Sequence, residues 1–294
     1  MKKILITGAN SYIGTSFEKY ISQWPNDYKV DTLDMQDEHW KDYNFSDYDS
    51  VFHVAGIAHA DVNKVSKEEE KLYYDVNTYL TIETAKVAKN AGVKQFIFMS
   101  SAIVYGDSAP IGKEKVITKN TPVNPTNFYG DSKVKAELGL QELNEDSFHV
   151  VILRPPMIYG PGSKGNYRVL SKFAKKLPLF PKVNNQRSML FVYNLTEFVR
   201  LIIDKNEQGI FWPQNGEYSN TSLLVREIAK ASGRKIVLIP GFSPLLKVMA
   251  NFTGLIDKAF GNLVYDFSIS EYDIPYRKYS LKDSIINTEA GIDE

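Results

Sequence analysis

Residues 3–14 read KILITGANSYIG, and this stretch decides the fold. The aliphatic, β-branched run at residues 4–7 stops at Gly8, and a second glycine, Gly14, follows six positions later. An apolar run that ends in a glycine turn and opens a helix presents backbone N–H groups and a helix N-terminus to a dinucleotide pyrophosphate. Gly8 and Gly14 allow the close backbone approach this requires, and Ser11, Tyr12 and Ile13 complete the turn. Asp34 lies 20 residues beyond Gly14, at the end of the next apolar run (30–33). That is the spacing of a carboxylate that bonds the adenosine ribose hydroxyls. A negative charge there repels a 2′-phosphate, so NAD is the favoured cofactor, with NADP left open.

The same texture continues at residues 50–54, 95–99 and 150–153. These runs are continuously apolar rather than alternating, as expected of strands buried on both faces of a parallel sheet. Helix-length stretches separate them. The clearest is 68–90, with Leu72, Val76, Tyr79 and Leu80 along one face, Glu83 interrupting and Val87 and Ala88 resuming, and Gly92 in the capping position. The alternation predicts an α/β fold with a doubly wound parallel sheet. Beyond Arg154, prolines such as Pro155, Pro156, Pro178 and Pro181 break the chain into short elements. That part reads as a smaller α/β lobe with one returning strand at 189–193. The expected division is 1–155 plus about 188–212 for the dinucleotide-binding domain, and about 156–187 plus 213–294 for a substrate lobe.

The 294 residues carry 35 Lys+Arg and 35 Asp+Glu, so the formal net charge is zero and no basic field favours nucleic acid as a partner. With 43% hydrophobic and 24% charged residues, the chain has the make-up of a globular protein with a sizeable core. The absence of cysteine excludes disulfides, zinc–thiolate sites and a Cys nucleophile, and fits a cytoplasmic location. The apolar run behind Lys2 and Lys3 is far shorter than the ~7–15 residues of a signal core. No run reaches the ~18 apolar residues of a membrane span. The nearest, 238–264, is interrupted by Lys247, Asp257 and Lys258 and reads as a packed helix pair, with a membrane-surface helix as the alternative.

A second constellation follows. Ser101 follows the 95–99 run, at the strand end where ligands bind in open α/β sheets. In FYGDSK (128–133), Tyr129 and Lys133 stand at i and i+4 on one helix face that Ala136 and Leu140 continue. Asn124-Pro125 forces an extended entry and a helix start near Phe128. An ammonium close to a phenol lowers its pKa, which makes tyrosine a usable base.

The ordered set ITGANSYIG, FHVAG, DVNTYLTIETAKVAKNAGVKQFIFMSSAIVYG, YGDSK and LRPPMIYGPG resembles the extended short-chain dehydrogenase/reductases. Within them it resembles the NAD-dependent epimerase/dehydratase family acting on nucleotide sugars, over roughly residues 1–200. The resemblance implies a Rossmann domain holding NAD and a C-terminal lobe closing over a UDP- or dTDP-sugar. It implies Ser101, Tyr129 and Lys133 as the catalytic set, the last two also at the cofactor, with Asn77 in support and Ala55 and Gly56 beneath the cofactor. Arg187 would bind the diphosphate of the sugar nucleotide, and Asn166 would add a polar contact. A homodimer, paired through the helices near 68–91 and 129–143, and a role in surface-polysaccharide biosynthesis are implied in the same way.

Four departures sharpen this. Ser11 replaces the usual central glycine of the turn, and Met157 replaces an asparagine. Ala102-Ile103 stand where the 4,6-dehydratases carry Asp-Glu, which counts against dehydration. Only 17 residues separate Asp34 from Phe52, too few for the family's extra helix and strand. The leading expectation is a nucleotide-sugar 4-epimerase working through a transient 4-keto sugar, on a UDP-hexose or UDP-N-acetylhexosamine. The alternative is an NAD(P)H-dependent reductase of a nucleotide-linked 4-keto-6-deoxyhexose, and behind it a non-catalytic dinucleotide sensor. His53 reads as packed or bonded to backbone and His59 as a surface-loop residue. With His39 and His149 they form no metal site. Residues 67–71 read as a solvated helix start, and Tyr73, Tyr74 and Tyr79 as helix-packing residues.

Overall fold

The computed structural model describes residues 1–58, 65–250 and 254–291; the His59 reading falls outside them. In chain order the elements begin β1 (Lys2–Thr7), α1 (Tyr12–Ile21), β2 (Tyr28–Leu33), β3 (Ser50–His53), α2 (Lys67–Tyr74), α3 (Thr81–Asn90) and β4 (Gln95–Met99). They continue β5 (Val116–Ile117), α4 (Phe128–Gln141), β6 (His149–Leu153), β7 (Met157–Tyr159), α5 (Asn166–Lys176), β8 (Leu179–Pro181) and β9 (Met189–Phe191). The last are α6 (Val192–Lys205), β10 (Gly209–Phe211), α7 (Thr221–Ala231), β11 (Val237–Ile239), α8 (Ser243–Ala250), α9 (Gly254–Phe260), β12 (Val264–Tyr265) and α10 (Leu281–Ala290). Two compact units result. The first is Met1–Gly106, Pro122–Pro155 and Leu195–Pro213, and the second is Asp107–Thr121, Pro156–Asn194 and Gln214–Glu294.

The first unit is built on a six-stranded, wholly parallel sheet in the order β10-β6-β4-β3-β1-β2. Ile4, Leu5, Ile6, Val51, Phe52, Phe96, Ile97 and Phe98 are completely buried, which is why these strands read as unbroken apolar runs. The chain turns to one side from β1 to β2 and to the other from β1's second neighbour, β3, so the order reverses between β1 and β3. Ligands of open sheets bind beyond the strand C-termini at such a reversal. The short link after Asp34 makes a 3₁₀ turn (Glu38–Asp42) in place of a helix and strand. Met35, Trp40, Phe45 and Tyr48 from this link pack into the core beside Leu5, Val51 and Phe96.

Two expectations need correction. The returning strand is β10, paired with β6, whereas β9 pairs with β7 in the second unit and ends at Phe191, where α6 begins. The helical run 67–90 exists, interrupted by a π-helical segment (Asp75–Leu80), but Leu72 and Tyr79 are 49% and 61% exposed. Its buried face is Tyr73, Asn77, Thr81, Thr84, Ala85 and Ala88. Small side chains let this face lie close to its neighbours, and the threonine hydroxyls are satisfied by the preceding turn, Thr81 Oγ1 on Asn77 O and Thr84 Oγ1 on Leu80 O.

The second unit contains three two-stranded parallel pairs, β12–β5, β7–β9 and β11–β8, with α5 and α7–α10. Residues 107–121 belong to it because β5 pairs with β12 and Ala109 bridges Asn262. Buried Glu289 anchors α10, accepting hydrogen bonds from Tyr167 and Ser171 of α5.

Candidate active site

Gly8 follows β1 with φ +115°, and a Cβ there would lie 2.6 Å from Ala55 N, so only glycine fits. Gly8 N donates to Leu33 O at 2.9 Å, which fixes the turn against the end of β2 and beside Asp34. Asp34 is exposed, and its carboxylate accepts from Gln36 N at 3.0 Å. Ser11 needs no glycine: its backbone is extended (φ −71°, ψ 144°), and Oγ caps α1 by accepting from Gly14 N at 3.2 Å. The positive φ of the turn falls instead on exposed Asn10 (φ 61°), a residue type that tolerates it. Tyr12 and Ile13 form the first turn of α1, which contains no acidic residue to offset the positive end of the helix dipole.

Ser101 leaves β4 in extended conformation and caps the 3₁₀ turn Ala102–Tyr105 by accepting from Ile103 N at 3.2 Å. Its hydroxyl also hydrogen-bonds Tyr129 in the first turn of α4. Gly130 makes this contact possible, because a Cβ there would meet Ile103 O and Pro125 Cβ at 2.9 Å. Lys133, one turn on, is buried and donates to Met99 O at 3.0 Å, with its ammonium 4.6 Å over the Phe98 ring. Burial lowers the Lys133 pKa to about 8, while the Glu137 carboxylate pulls it back up. Tyr129 departs from expectation. Burial pushes its phenol up to about 12, and the Ser101 hydrogen bond only partly opposes this.

Asn77 is completely buried in the π-helical segment, a feature often found at functional sites. Its Oδ1 accepts from Ile57 N at 2.8 Å, and its Nδ2 donates to Ile57 O at 3.0 Å and to Ser132 Oγ at 3.3 Å. One side chain therefore clasps the loop after β3 to α4. Gly56 in that loop is exposed, and a Cβ on it would meet Asn77 Oδ1 at 3.0 Å and Lys133 Nζ at 3.3 Å. A flat ligand can approach here where any side chain would intrude. Ala55 reaches the same place by donating its N–H to Thr7 O at 2.9 Å. The ends of β1–β4, the π-helical segment and the helices α1 and α4 thus carry the candidates of the first unit.

His53 is bonded to side chains rather than backbone, to Thr7 Oγ1 at 2.8 Å and Thr81 Oγ1 at 3.0 Å, and stacks on Phe96. Burial drops its pKa to about 3, with the Lys133 charge adding to the effect. The unfolded chain takes up this proton below about 6.5 and the native chain does not until about 3, so stability falls as pH drops through that window. Urea titrations at pH 7.5 and 5 should show about 2 kcal/mol lost through this group, a loss absent in His53→Gln. Tyr73 packs edge-on against Phe128 and Tyr129, and Tyr74 donates to Asp131 at 2.8 Å, whereas Tyr79 points to solvent and is no packing residue. Among the described residues no group of three metal-ligating side chains forms. No helix among them is long and apolar enough to cross a membrane.

Behind Ser101 lies a polar network that the sequence reading does not single out. Glu137, on the same face of α4 as Lys133, is 2% exposed and receives Arg154 Nη2 at 2.6 Å, Arg154 Nε at 3.1 Å and the Ser100 hydroxyl. Arg154 Nη1 donates to Tyr105 Oη at 2.7 Å, which also accepts from Trp212 Nε1 at 2.6 Å. A charged residue one turn after Lys133 on an otherwise apolar helix face was the available signal.

The remaining candidates lie in the second unit. Arg187 is tied by its backbone to Ser219, at 2.8 and 2.9 Å, and its Nη1 donates to Gly261 O at 3.3 Å. Burial lowers its pKa, and among the described residues no carboxylate forms an ion pair with it. A guanidinium so placed suits an anionic ligand. Asn166 is exposed at the first position of α5, and Met157 begins β7.

Residues 4–211 match the sequence profile of the NAD dependent epimerase/dehydratase family. The chain is 31% identical over 292 residues to a UDP-glucose 4-epimerase of Vibrio cholerae, covering 91% of this chain and 88% of that protein. Its fold superposes on a UDP-glucuronic acid 4-epimerase from Bacillus cereus in complex with NAD, with TM-score 0.75, 16% identity and 99% and 98% of the two chains covered. A dTDP-4-dehydrorhamnose reductase from Clostridium acetobutylicum gives TM-score 0.74 at 20% identity, over 97% and 98%. At these identities the structural likeness is one of fold.

Proposed function

Because the chain belongs to the NAD-dependent epimerase/dehydratase family, we propose that it is an NAD-using 4-epimerase of a nucleotide sugar, a UDP-hexose or UDP-N-acetylhexosamine. The observation that carries this is the hydrogen-bonded Ser101–Tyr129 pair, with buried, cationic Lys133 one helical turn on and bonded to the end of β4 at Met99 O.

In this reading the turn Gly8–Gly14 holds the dinucleotide pyrophosphate, Asp34 its ribose, and Ala55 and Gly56 the floor under it. NAD bound there would supply reversible hydride acceptance from the sugar C4 and the positive charge of its nicotinamide. Tyr129 takes the proton of the sugar C4 hydroxyl, Ser101 holds that oxygen by hydrogen bond, and Lys133 keeps the phenolate stable by charge. The 4-keto sugar then presents its other face, and Tyr129 returns the proton. The phenol stands at about 12 with Lys133 already in place, so the positive charge that NAD would bring is needed for it to act as a base. In the second unit, Arg187 takes the diphosphate and Asn166 adds a polar contact. Ala102 and Ile103 offer no carboxylate beside Ser101 to eliminate water, which speaks against a 4,6-dehydratase. Exposed Leu72, Tyr79 and Leu138 on α2, the adjoining π-helical segment and α4 suit a homodimer interface, which sedimentation velocity would detect.

The decisive experiment denatures purified protein, identifies released nucleotide by chromatography, and follows UDP-sugar interconversion by NMR. Stoichiometric NAD with interconversion supports an epimerase, which regenerates its cofactor each cycle. Empty protein that consumes NADH or NADPH with a 4-keto sugar would instead make it a reductase.

A further inference from the structure

The second unit carries a face that this chemistry does not use. Residues 156–194 contain seven Lys and Arg but no Asp or Glu, and residues 228–256 contain four more, again without an acid. The zero net charge of the chain therefore hides a strongly basic region. Where α5 ends and β8 and β11 begin, a cavity of about 270 Å³ is walled by Lys175, Lys176, Leu177, Pro178, Arg234 and Lys235. Lysines at helix ends commonly do no more than offset the helix dipole, so the charges have to be counted. Lys175 is paired with Glu289 at 3.1 Å, and the C-termini of α5 and α7 contribute roughly −0.5 each. Three exposed cations against about one negative charge leave a clear positive excess.

Apolar side chains adjoin it. Leu179 and Val237 are register partners in the β8–β11 pair, 51% and 60% exposed, while Phe180 fills the opposite, buried face. The chain runs on through exposed Phe242 into α8, where Leu245, Val248 and Met249 face solvent and Leu246 alone is buried. A second copy of the chain is a poor occupant, because interface cores are depleted of lysine and a two-fold axis would oppose like charges. Nucleic acid would match the cations but not five exposed aliphatic side chains. Cations bordering exposed aliphatic and aromatic residues are what an element lying in a lipid headgroup region carries.

We propose that this face docks the protein on an anionic bilayer, with Lys176, Arg234 and Lys235 at lipid phosphates and the α8 side chains in the headgroup–acyl boundary. The test is co-sedimentation of the full chain with vesicles of phosphatidylcholine containing about a third phosphatidylglycerol, or none, at low and high salt. Binding only to the anionic vesicles, weakened by salt, is expected. The pairs Lys176→Glu/Lys235→Glu and Leu245→Glu/Val248→Glu should each weaken it about tenfold or more, with circular dichroism and bound-nucleotide content unchanged. Equal sedimentation with both vesicle types, none with either, or unaffected variants would overturn the proposal. Heparin retention without vesicle binding would assign the face to a polyanion, and a loss of self-association in the variants would assign it to a second copy; either also refutes lipid docking.

Discussion

Tyr129→Phe is expected to lower kcat by about 10³-fold, within the ~10²–10⁴ that a positioned general base contributes. Fold and nucleotide content should stay at wild-type levels. The ring keeps its edge-on contact with Tyr73, and Ser101 keeps its bond to Ile103 N, so only the hydroxyl's role disappears. This separates chemistry from support, since a residue that merely held the helix in place would change thermal unfolding before it changed turnover. Turnover by the Phe variant at more than a tenth of the wild-type rate would remove Tyr129 from the mechanism. A parallel Lys133→Met variant should lose both turnover and nucleotide, because Lys133 Nζ lies 3.3 Å from where a Cβ on Gly56 would stand, in the space proposed for the cofactor.

The parts of this molecule that are local in sequence were the legible ones. The Gly8 turn, the start of α4 at Phe128 and the cap at Gly92 each depend on a few neighbouring residues, and the sequence pattern places them. The runs of β1, β3, β4 and β6 were readable because burial on both faces forces them to be apolar throughout. The returning strand was misplaced for the opposite reason. Gly209–Phe211 is three residues long, begins at a glycine and gains its place only by pairing with β6, while the more apolar Met189–Phe191 belongs elsewhere. The face of the 67–90 run was misread because large apolar side chains point outward and threonine and alanine point in, a choice made by close packing rather than hydropathy.

The candidate site divides in the same way. Ser101, Tyr129 and Lys133 stand out by spacing, and the structure links Ser101 to Tyr129 and buries Lys133, one turn on, against Met99 O and the Phe98 ring. The rise of the Tyr129 pKa was not legible, because it depends on how deeply the chain buries the phenol. The partners of Glu137 were not legible either, as Ser100 and Arg154 come from the ends of two different strands, 37 and 17 residues away.

That network makes the second large effect calculable. Glu137→Leu leaves the Arg154 guanidinium, 7% exposed, without its carboxylate and the Ser100 hydroxyl without its acceptor. Breaking one side of a buried pair costs about 3–5 kcal/mol, and urea denaturation should show that loss as a lower midpoint at unchanged m-value. The double variant Glu137→Leu/Arg154→Met removes both charges, and most of the stability should return, since the pair's attraction largely repays its own desolvation. A cost below about 1 kcal/mol for the single variant would show that α4 is held to β4 and β6 by packing alone. Glu137→Gln carries the argument into the site. It keeps an acceptor for Arg154 and Ser100 but removes the anion that pulls the Lys133 pKa upward. Lys133 should then lose its proton at a lower pH than in the wild type, so the alkaline limb of the pH–rate profile moves down. A limb that stays in place would separate Glu137 from the chemistry and leave it a purely structural partner of Arg154.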